Sequence, residues 1–195
     1  MTRTTYYTAT TLDGYIADQH DSLDWLFVQE HDPDGPMSHA RFMAGVGAMV
    51  MGATTYRWIL DHMAGAGEEG GRWEYEIPCW VMTHRELRPL DGADIRIAAA
   101  DDDGALRRVH ADMVAAAGEA DIWVVGGGAL AADLADLGLL DEVVVSIAPV
   151  TLGTGRPLLP RPLDLRLIEL ERNGAFACGR YAVEGPRPGS GAAAG

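Results

Sequence analysis

Asp121-Ile-Trp-Val-Val-Gly-Gly-Gly-Ala-Leu-Ala-Ala-Asp-Leu134 is the stretch that decides how this chain is read. Ile122 to Val125 forms a short apolar run of strand character. It passes through three glycines into a helix-forming segment, Ala129 to Leu134. Glycines at such a junction adopt backbone angles closed to other residues and leave their amides unshielded. The following helix directs its unpaired N–H groups and the positive end of its dipole at the gap. A phosphate group is the usual occupant of such a place. A tight strand-to-helix turn with no ligand is the alternative that the motif leaves open when taken alone.

Gly126-x-Gly128-x-x-Ala131 also fits the dinucleotide fingerprint G-x-G-x-x-G/A, but its surroundings do not. That fingerprint opens a βαβ unit and is followed, about 20 residues on, by an acid that holds the ribose. Here the next strand is Asp141-Glu-Val-Val-Val-Ser-Ile-Ala148, whose acids come at about half that distance. The region farther on, Ala148-Pro-Val-Thr151, has no carboxylate. The glycines are therefore read as a phosphate-binding turn of another fold.

A chain of 195 residues is long enough for one domain with a substantial core. Hydrophobic residues make up 48%, and the mean hydropathy is −0.02, as in globular proteins. No apolar run reaches bilayer length, and Met1-Thr-Arg-Thr-Thr-Tyr lacks a signal-peptide core, so a cytoplasmic location is expected. Cys79 and Cys178 belong to no C-x-x-C pair and make no disulfide framework. A net charge of −14 disfavours nucleic acid and anionic membranes as partners. All 15 Lys and Arg residues are arginine. Without lysine there is neither a Walker-type loop nor a Schiff-base mechanism, and a phosphate must be held by arginine, hydroxyls, histidine or backbone amides.

Thr4 to Thr11 reads as an N-terminal strand followed by a turn, Leu12 to Ala17. A helix is predicted over Met37 to Val46, a buried strand over Ala48 to Met51, and a helix over Thr54 to Leu60. Gly65 to Arg72 reads as a Gly/Glu-rich loop. Strands follow at Cys79 to Thr83 and Asp94 to Ile97, and Asp101-Asp-Asp-Gly starts a helix through Ala117. Beyond the glycines, Asp141 to Ala148, Leu165 to Glu171 and Ala175 to Val183 are strands, the last two joined at Asn173-Gly174, a hairpin signal. The strand over 141–148 should be central and buried, because Val143, Val144, Val145 and Ile147 form a near-continuous apolar run. One domain is expected over residues 1–184, with a flexible Pro/Gly/Ala/Ser tail over 185–195.

Several segments, in this order, resemble the dihydrofolate-reductase-like superfamily: Thr11-Leu-Asp-Gly-Tyr-Ile-Ala17, Met51-Gly-Ala-Thr-Thr-Tyr56, Trp80-Val-Met-Thr-His-Arg85, Val125-Gly-Gly-Gly-Ala129 and Pro149-Val-Thr-Leu-Gly-Thr-Gly155. The nearer branch is the one that includes the C-terminal reductase domain of the riboflavin-biosynthesis bifunctional enzyme. The resemblance implies an α/β fold with a mostly parallel eight-stranded sheet, flanking helices and a C-terminal antiparallel hairpin. It also implies NADPH as cofactor and hydride transfer to a nitrogen heterocycle. The expected substrate is a riboflavin precursor of the aminouracil type. Dihydrofolate or a pteridine, and an NADPH-binding module without efficient turnover, stand as alternatives.

Cofactor contacts are expected at Ala9, Ile16, Gly52, Thr54, Thr55, Thr83, His84, Arg85, Val125, Gly126, Gly127, Gly128, Ala129 and Leu130. The pyrophosphate would lie between Gly126–Ala129 and Gly52–Thr55, two strand-to-helix turns of the same kind. Relatives often carry a basic residue after the first of these glycines, where this chain has Ala53. Thr83, His84 and Arg85 suit an adenosine 2′-phosphate. The resemblance further implies a cis peptide at Gly126–Gly127. Asp13 is a candidate acid, weighed against a role in holding its Asp-Gly turn. Trp25 is the candidate for stacking on the substrate, and Glu30 and Asp32 are further acid candidates. Ile77-Pro-Cys79 lacks the second cysteine and the His-x-Glu of a zinc deaminase, so a stand-alone reductase without metal is expected, with a homodimer left open.

Overall fold

In a computed structural model, residues 1–65 and 73–187 are described. Six strands run parallel at the centre of the molecule: β1 (Thr4–Thr11), β3 (Val46–Gly52), β4 (Cys79–Met82), β5 (Ile95–Ala98), β6 (Asp121–Gly126) and β7 (Glu142–Ala148). The hairpin of β9 (Leu163–Asn173) and β10 (Phe176–Pro186) completes an eight-stranded sheet of order β5-β4-β3-β6-β1-β7-β10-β9. β10 lies antiparallel to both β7 and β9. Two short strands, β2 (Tyr15–Ala17) and β8 (Arg156–Pro157), pair separately beside it. The helices are α1 (Asp24–Phe27), α2 (His39–Met43), α3 (Ala53–Gly65), α4 (Asp103–Ala117) and α5 (Gly128–Asp136).

Apolar residues alternate between the two faces of the parallel strands, so each face has its own core. Tyr6, Val50, Ile122 and Val124 join Leu130 and Leu134 of α5 and Met113 of α4 on one face. Met49, Met51, Val81 and Trp123 meet Tyr56 of α3 on the other. Full burial of each such side chain contributes about 1.5–3 kcal/mol. β7 is interior, between β1 and β10, with Val143, Val144 and Val145 buried as expected from its apolar run.

Local signals set several boundaries. Asp102 caps α4 through its side chain, accepting from Ala105 N at 2.7 Å. The helix expected over Met37 to Val46 is cut to His39–Met43, although Ser38 caps it as its sequence suggests. Met37 has φ +51°, and Val46 already belongs to β3, in register with Asp121. Tertiary pairing therefore overrides the helical pattern there. β10 runs on to Pro186, past the boundary expected at residue 184. The Gly/Glu-rich loop, apart from Gly65 at the end of α3, and residues 188–195 of the tail lie outside the described residues.

Candidate functional site

Strands β3 and β6 are neighbours, yet the helices that follow them pack on opposite faces: α3 against the Met49 core and α5 against the Ile122 core. The two chains part at the carboxyl ends of the strands, and a crevice must open there. A cavity of about 750 Å³ occupies that place, well within the range of small-molecule sites. Gly52 to Thr55 form one wall, and Val125 to Leu130 form the opposite one.

The α5 end is built for close approach. Gly127 is its N-cap and offers no side chain, so the first-turn amides are left for a ligand or solvent. The Gly126–Gly127 peptide is cis. A Cβ on Gly128 would collide with the carbonyl oxygens of Leu158 and Pro157, which is why only glycine fits under the β8 strand. A Cβ on Gly126 would come within 3.1 Å of Thr55 Oγ1, so the two turns already lie close across the crevice. The arrangement is a cradle of backbone amides between two helix starts, suited to a pyrophosphate.

Ile16 and Ala17 on β2 line the cavity, with the Ile16 side chain nearest the Gly127 position. Thr8, Leu23 and Trp58 also line the cavity, as does an ion pair in which Arg156 Nε meets Asp21 Oδ1 at 2.6 Å. Trp58 belongs to an aromatic stack with His62, at 5.0 Å between centroids, and Phe27, at 6.1 Å. Sequence reasoning did not single out Trp58 or Asp21. Trp58 is one helical turn beyond the Thr54–Thr55 start, and that spacing was the available signal.

At the other end, Met82 closes β4, and Thr83, His84 and Arg85 follow it into the cavity. A second, adjoining cavity of about 550 Å³ shares Met82, Thr83, His84, Leu130 and Asp133 with it. Ala100, Leu106 and Leu137 give the second cavity apolar walls, and Asp101, Asp102, Asp103, Asp133 and Asp136 give it acidic ones. His84 Nε2 lies 2.9 Å from Asp101 Oδ1, and Arg161 bridges Asp133 and Asp136. Among the described residues the Arg85 guanidinium makes no ion pair.

Five expected positions lie elsewhere. Ala9 points away from the cavity and packs on a small core of Trp25, Ala148, Phe176 and Cys178. Its strand neighbour Thr8 takes the cavity side. Trp25 is 8% exposed within that core, so it is a packing residue and not the substrate wall expected of it. The Asp13 carboxylate accepts from Thr11 Oγ1 at 2.5 Å, from Gly153 N at 2.7 Å and from Leu152 N at 3.1 Å. The Thr11 hydroxyl, followed by these amides, holds its pKa below the usual carboxylate value, which suits a turn holder and not a proton donor. Glu30 and Asp32 are engaged through their backbones with the hairpin turn. Glu30 O accepts from Ala175 N at 2.9 Å, and Asp32 N donates to Asn173 Oδ1 at 2.8 Å. Neither lines the cavity.

Among the described residues, no helix is long and apolar enough to cross a membrane. The chain is 29% identical over 156 residues to the uncharacterized protein YwjB of Bacillus subtilis, a match covering 80% of this chain and 82% of that one. A crystal structure of a putative riboflavin biosynthesis protein from Shewanella sp. PV-4 superimposes with a TM-score of 0.73 at 26% identity, covering 93% of this chain and 99% of the other. At 16% identity the fold alone is shared with a diaminohydroxyphosphoribosylaminopyrimidine deaminase/5-amino-6-(5-phosphoribosylamino)uracil reductase from Thermotoga maritima, with a TM-score of 0.61, 93% of this chain and 56% of that one. The fold is that of a riboflavin-pathway reductase-like domain. The match to the family model of the RibD C-terminal domain extends over residues 4–182, and the chain belongs to that family.

Proposed function

We propose that the protein is a reductase that binds NADPH in the crevice and delivers hydride to a planar nitrogen heterocycle of the aminouracil riboflavin-precursor type. The observation that carries this reading is the facing pair of helix starts, Gly52–Thr55 and Gly127–Ala129, at the mouth of one cavity. The cradle clears a space that a Cβ at Gly128 would fill, so the residues fit a pyrophosphate. Bound there, the cofactor supplies the hydride itself.

The chain's own residues do the rest. Amides at the two turns and the Thr54 and Thr55 hydroxyls hold the diphosphate. Ile16 and Ala17 form an apolar wall that excludes water from the reacting ring. Trp58, taking the place expected of Trp25, offers a flat face to the substrate beside Leu23. Arg85 meets the adenosine 2′-phosphate, whereas Asp101 to Asp103 on the adjoining wall oppose a dianion, so the preference for NADPH over NADH is modest. Asp21, fixed by Arg156, is the carboxylate beside the Ile16–Ala17 strand and orders the water that returns a proton.

A second reading, a nucleotide-binding protein without efficient turnover, is favoured by one feature. The cavity carboxylates Asp21 and Asp133 are both committed to arginines, Arg156 and Arg161. Loss of reduced-nicotinamide absorbance, followed with an aminouracil riboside, a pteridine and dihydrofolate in parallel, separates the readings. Turnover fastest with the aminouracil supports the reductase assignment. Tight NADPH binding in a calorimeter with no turnover on any heterocycle overturns it in favour of the binding module.

A further inference from the structure

The Ile16 end of the cavity is built from apolar walls and one neutralised ion pair. β2 and β8 meet there, with Ala17 opposite Arg156 and Tyr15 opposite Pro157. The fit is close enough that a Cβ on Gly155 would collide with the Ala17 carbonyl oxygen. Ile16, Ala17, Leu23, Trp58, Pro157 and Pro160 supply the apolar lining. The Trp58 ring is inclined by only 15° to Phe27 and by 12° to His62, so the three rings form one flat-faced group. Walls of this kind suit a planar, uncharged ring.

Among the described residues lining the cavity, the guanidinium groups are those of Arg85 and Arg156. Arg156, at the Ile16 end, is already matched. Its Nε donates to Asp21 Oδ1 at 2.6 Å and its Nη2 to Asp21 Oδ2 at 3.2 Å, a two-point pair that fixes the guanidinium plane. Asp21, by hydrogen bond and by charge, and Asp18, by charge, raise the pKa of Arg156 above the ordinary guanidinium value. Asp18 is itself held in its turn, where Oδ1 accepts from His20 N at 2.7 Å and from Ser22 N at 2.8 Å. One cation thus faces two carboxylates. In the reductase reading the cofactor's pyrophosphate takes the two amide turns, and Arg85 serves the adenosine end. A further phosphate at the Ile16 end would meet Asp18, Asp21 and the charge of the cofactor itself.

We infer that the substrate is an uncharged planar heterocycle without a phosphate ester, a free base or nucleoside and not a nucleotide, and that Asp21 and Asp18 around Arg156 reject the phosphorylated form. The inference rests on the reductase reading of the crevice and narrows its substrate class. Discrimination here comes from repulsion of the wrong substrate, not from an added grip on the right one. The same pair suits a neutral ring. Arg156 Nη1 lies outside the pair with Asp21, and the Asp21 carboxylate has lone pairs beyond the two bonds it accepts. A donor and an acceptor side by side complement the C=O and N–H of a ring amide, the polar edge of an aminouracil.

Steady-state kinetics at saturating NADPH, with an aminouracil riboside and its 5′-phosphate as paired substrates, test the inference. The riboside should be preferred at least about tenfold in kcat/KM, with the difference lying in KM. Asp18→Asn keeps the Oδ1 that the turn uses and removes the charge, and should narrow the preference about threefold. Asp21→Asn also frees Arg156 and should narrow it about tenfold, whatever it does to kcat. Arg156→Gln leaves both carboxylates unopposed and should widen it. Added salt should narrow the wild-type preference but not that of Asp21→Asn, a response that a merely structural effect would not give. If neither compound is turned over, the reductase reading fails, and calorimetric titration of both into the protein–NADP⁺ complex decides the substrate class. Binding of the riboside at least about tenfold more tightly supports the inference. Equal or better use or binding of the 5′-phosphate, binding of neither, or a preference that Asp18→Asn and Asp21→Asn leave unchanged overturns it.

Discussion

The two halves of the eight-stranded sheet solve different problems. In the half formed by β4, β3 and β6, parallel strands end together and their helices diverge, so backbone amides and glycines face an open cavity. In the half formed by β7, β10 and β9, an antiparallel hairpin extends the sheet beyond β7, and none of these three strands runs on into a glycine turn and helix start. Charge is used there to bind strands together. Glu142, 8% exposed, accepts from Arg180 at 2.8 and 2.9 Å and from Arg3 at 2.8 Å, joining β7, β10 and the chain start. Where a strand ends in glycine the structure is open to a ligand, and where it ends in a hairpin the structure is closed on itself. If this division is right, substitutions in one half should leave the property of the other half intact.

The largest effect is expected at Gly128. Gly128→Ala puts a Cβ into the Leu158 and Pro157 carbonyls, backbone atoms that cannot swing aside. Overpacking of this kind costs about 2 kcal/mol, or roughly 4–8 °C in thermal midpoint for a chain of this size. NADPH affinity should fall at least about tenfold as the α5 start moves. Calorimetric titration and a melting curve read the two effects. Unchanged affinity would remove the glycine turn from the cofactor account.

Glu142→Ala reverses the pattern. It leaves two guanidinium groups without their shared carboxylate, and a loss of about 2 kcal/mol is expected after allowing for the partial exposure of Arg3 and Arg180. NADPH affinity should hold within about twofold, and a large change would show that the halves are coupled. Arg85→Ala is expected to be milder. NADPH binding should weaken about threefold to tenfold with NADH binding unmoved, because an exposed contact is screened by solvent. Equal affinities of the wild type for both dinucleotides would sink the 2′-phosphate role.

How much of this was legible depends on how local each signal was. The run Ile122 to Ala129 announced strand, turn and helix start within a few residues, and Asn173-Gly174 announced its hairpin in two. Asp13 was ambiguous because its amide partners, Leu152 and Gly153, are some 140 residues away in the chain. Trp25 was singled out for stacking, whereas Trp58, inside the helix expected over Thr54 to Leu60, was passed over. What separates them is which face their helices present, and that is set by strands elsewhere in the sequence. The acidic wall beside Thr83 was hidden in the same way, since Asp101 and Asp133 come from different helices' surroundings and meet only in the fold.

The smallest effect concerns pH. Burial lowers the pKa of His39 and of His110, each below its ordinary value of 6.5. The folded protein thus keeps both imidazoles neutral, and above pH 6.5 they carry no penalty. As pH falls through 6.5 the unfolded chain takes up protons first, so stability declines until the lowered folded values are passed. Both residues sit against the parallel half, His110 on Thr4 Oγ1 at 2.8 Å and His39 on Trp123. Melting curves between neutral and mildly acidic pH should show a shallow loss that His110→Gln reduces. A flat profile would show that these groups are better solvated than their positions indicate.

The proposed reductase stands or falls on the crevice between the two glycine turns being a dinucleotide site. A crystal structure of the protein grown with NADP⁺ tests it most directly. The pyrophosphate should lie between the amides of Gly127–Ala129 and Ala53–Thr55, with the nicotinamide against Ile16 and the adenosine ribose toward Arg85. A dinucleotide bound outside this crevice, or none at a saturating concentration, would contradict it.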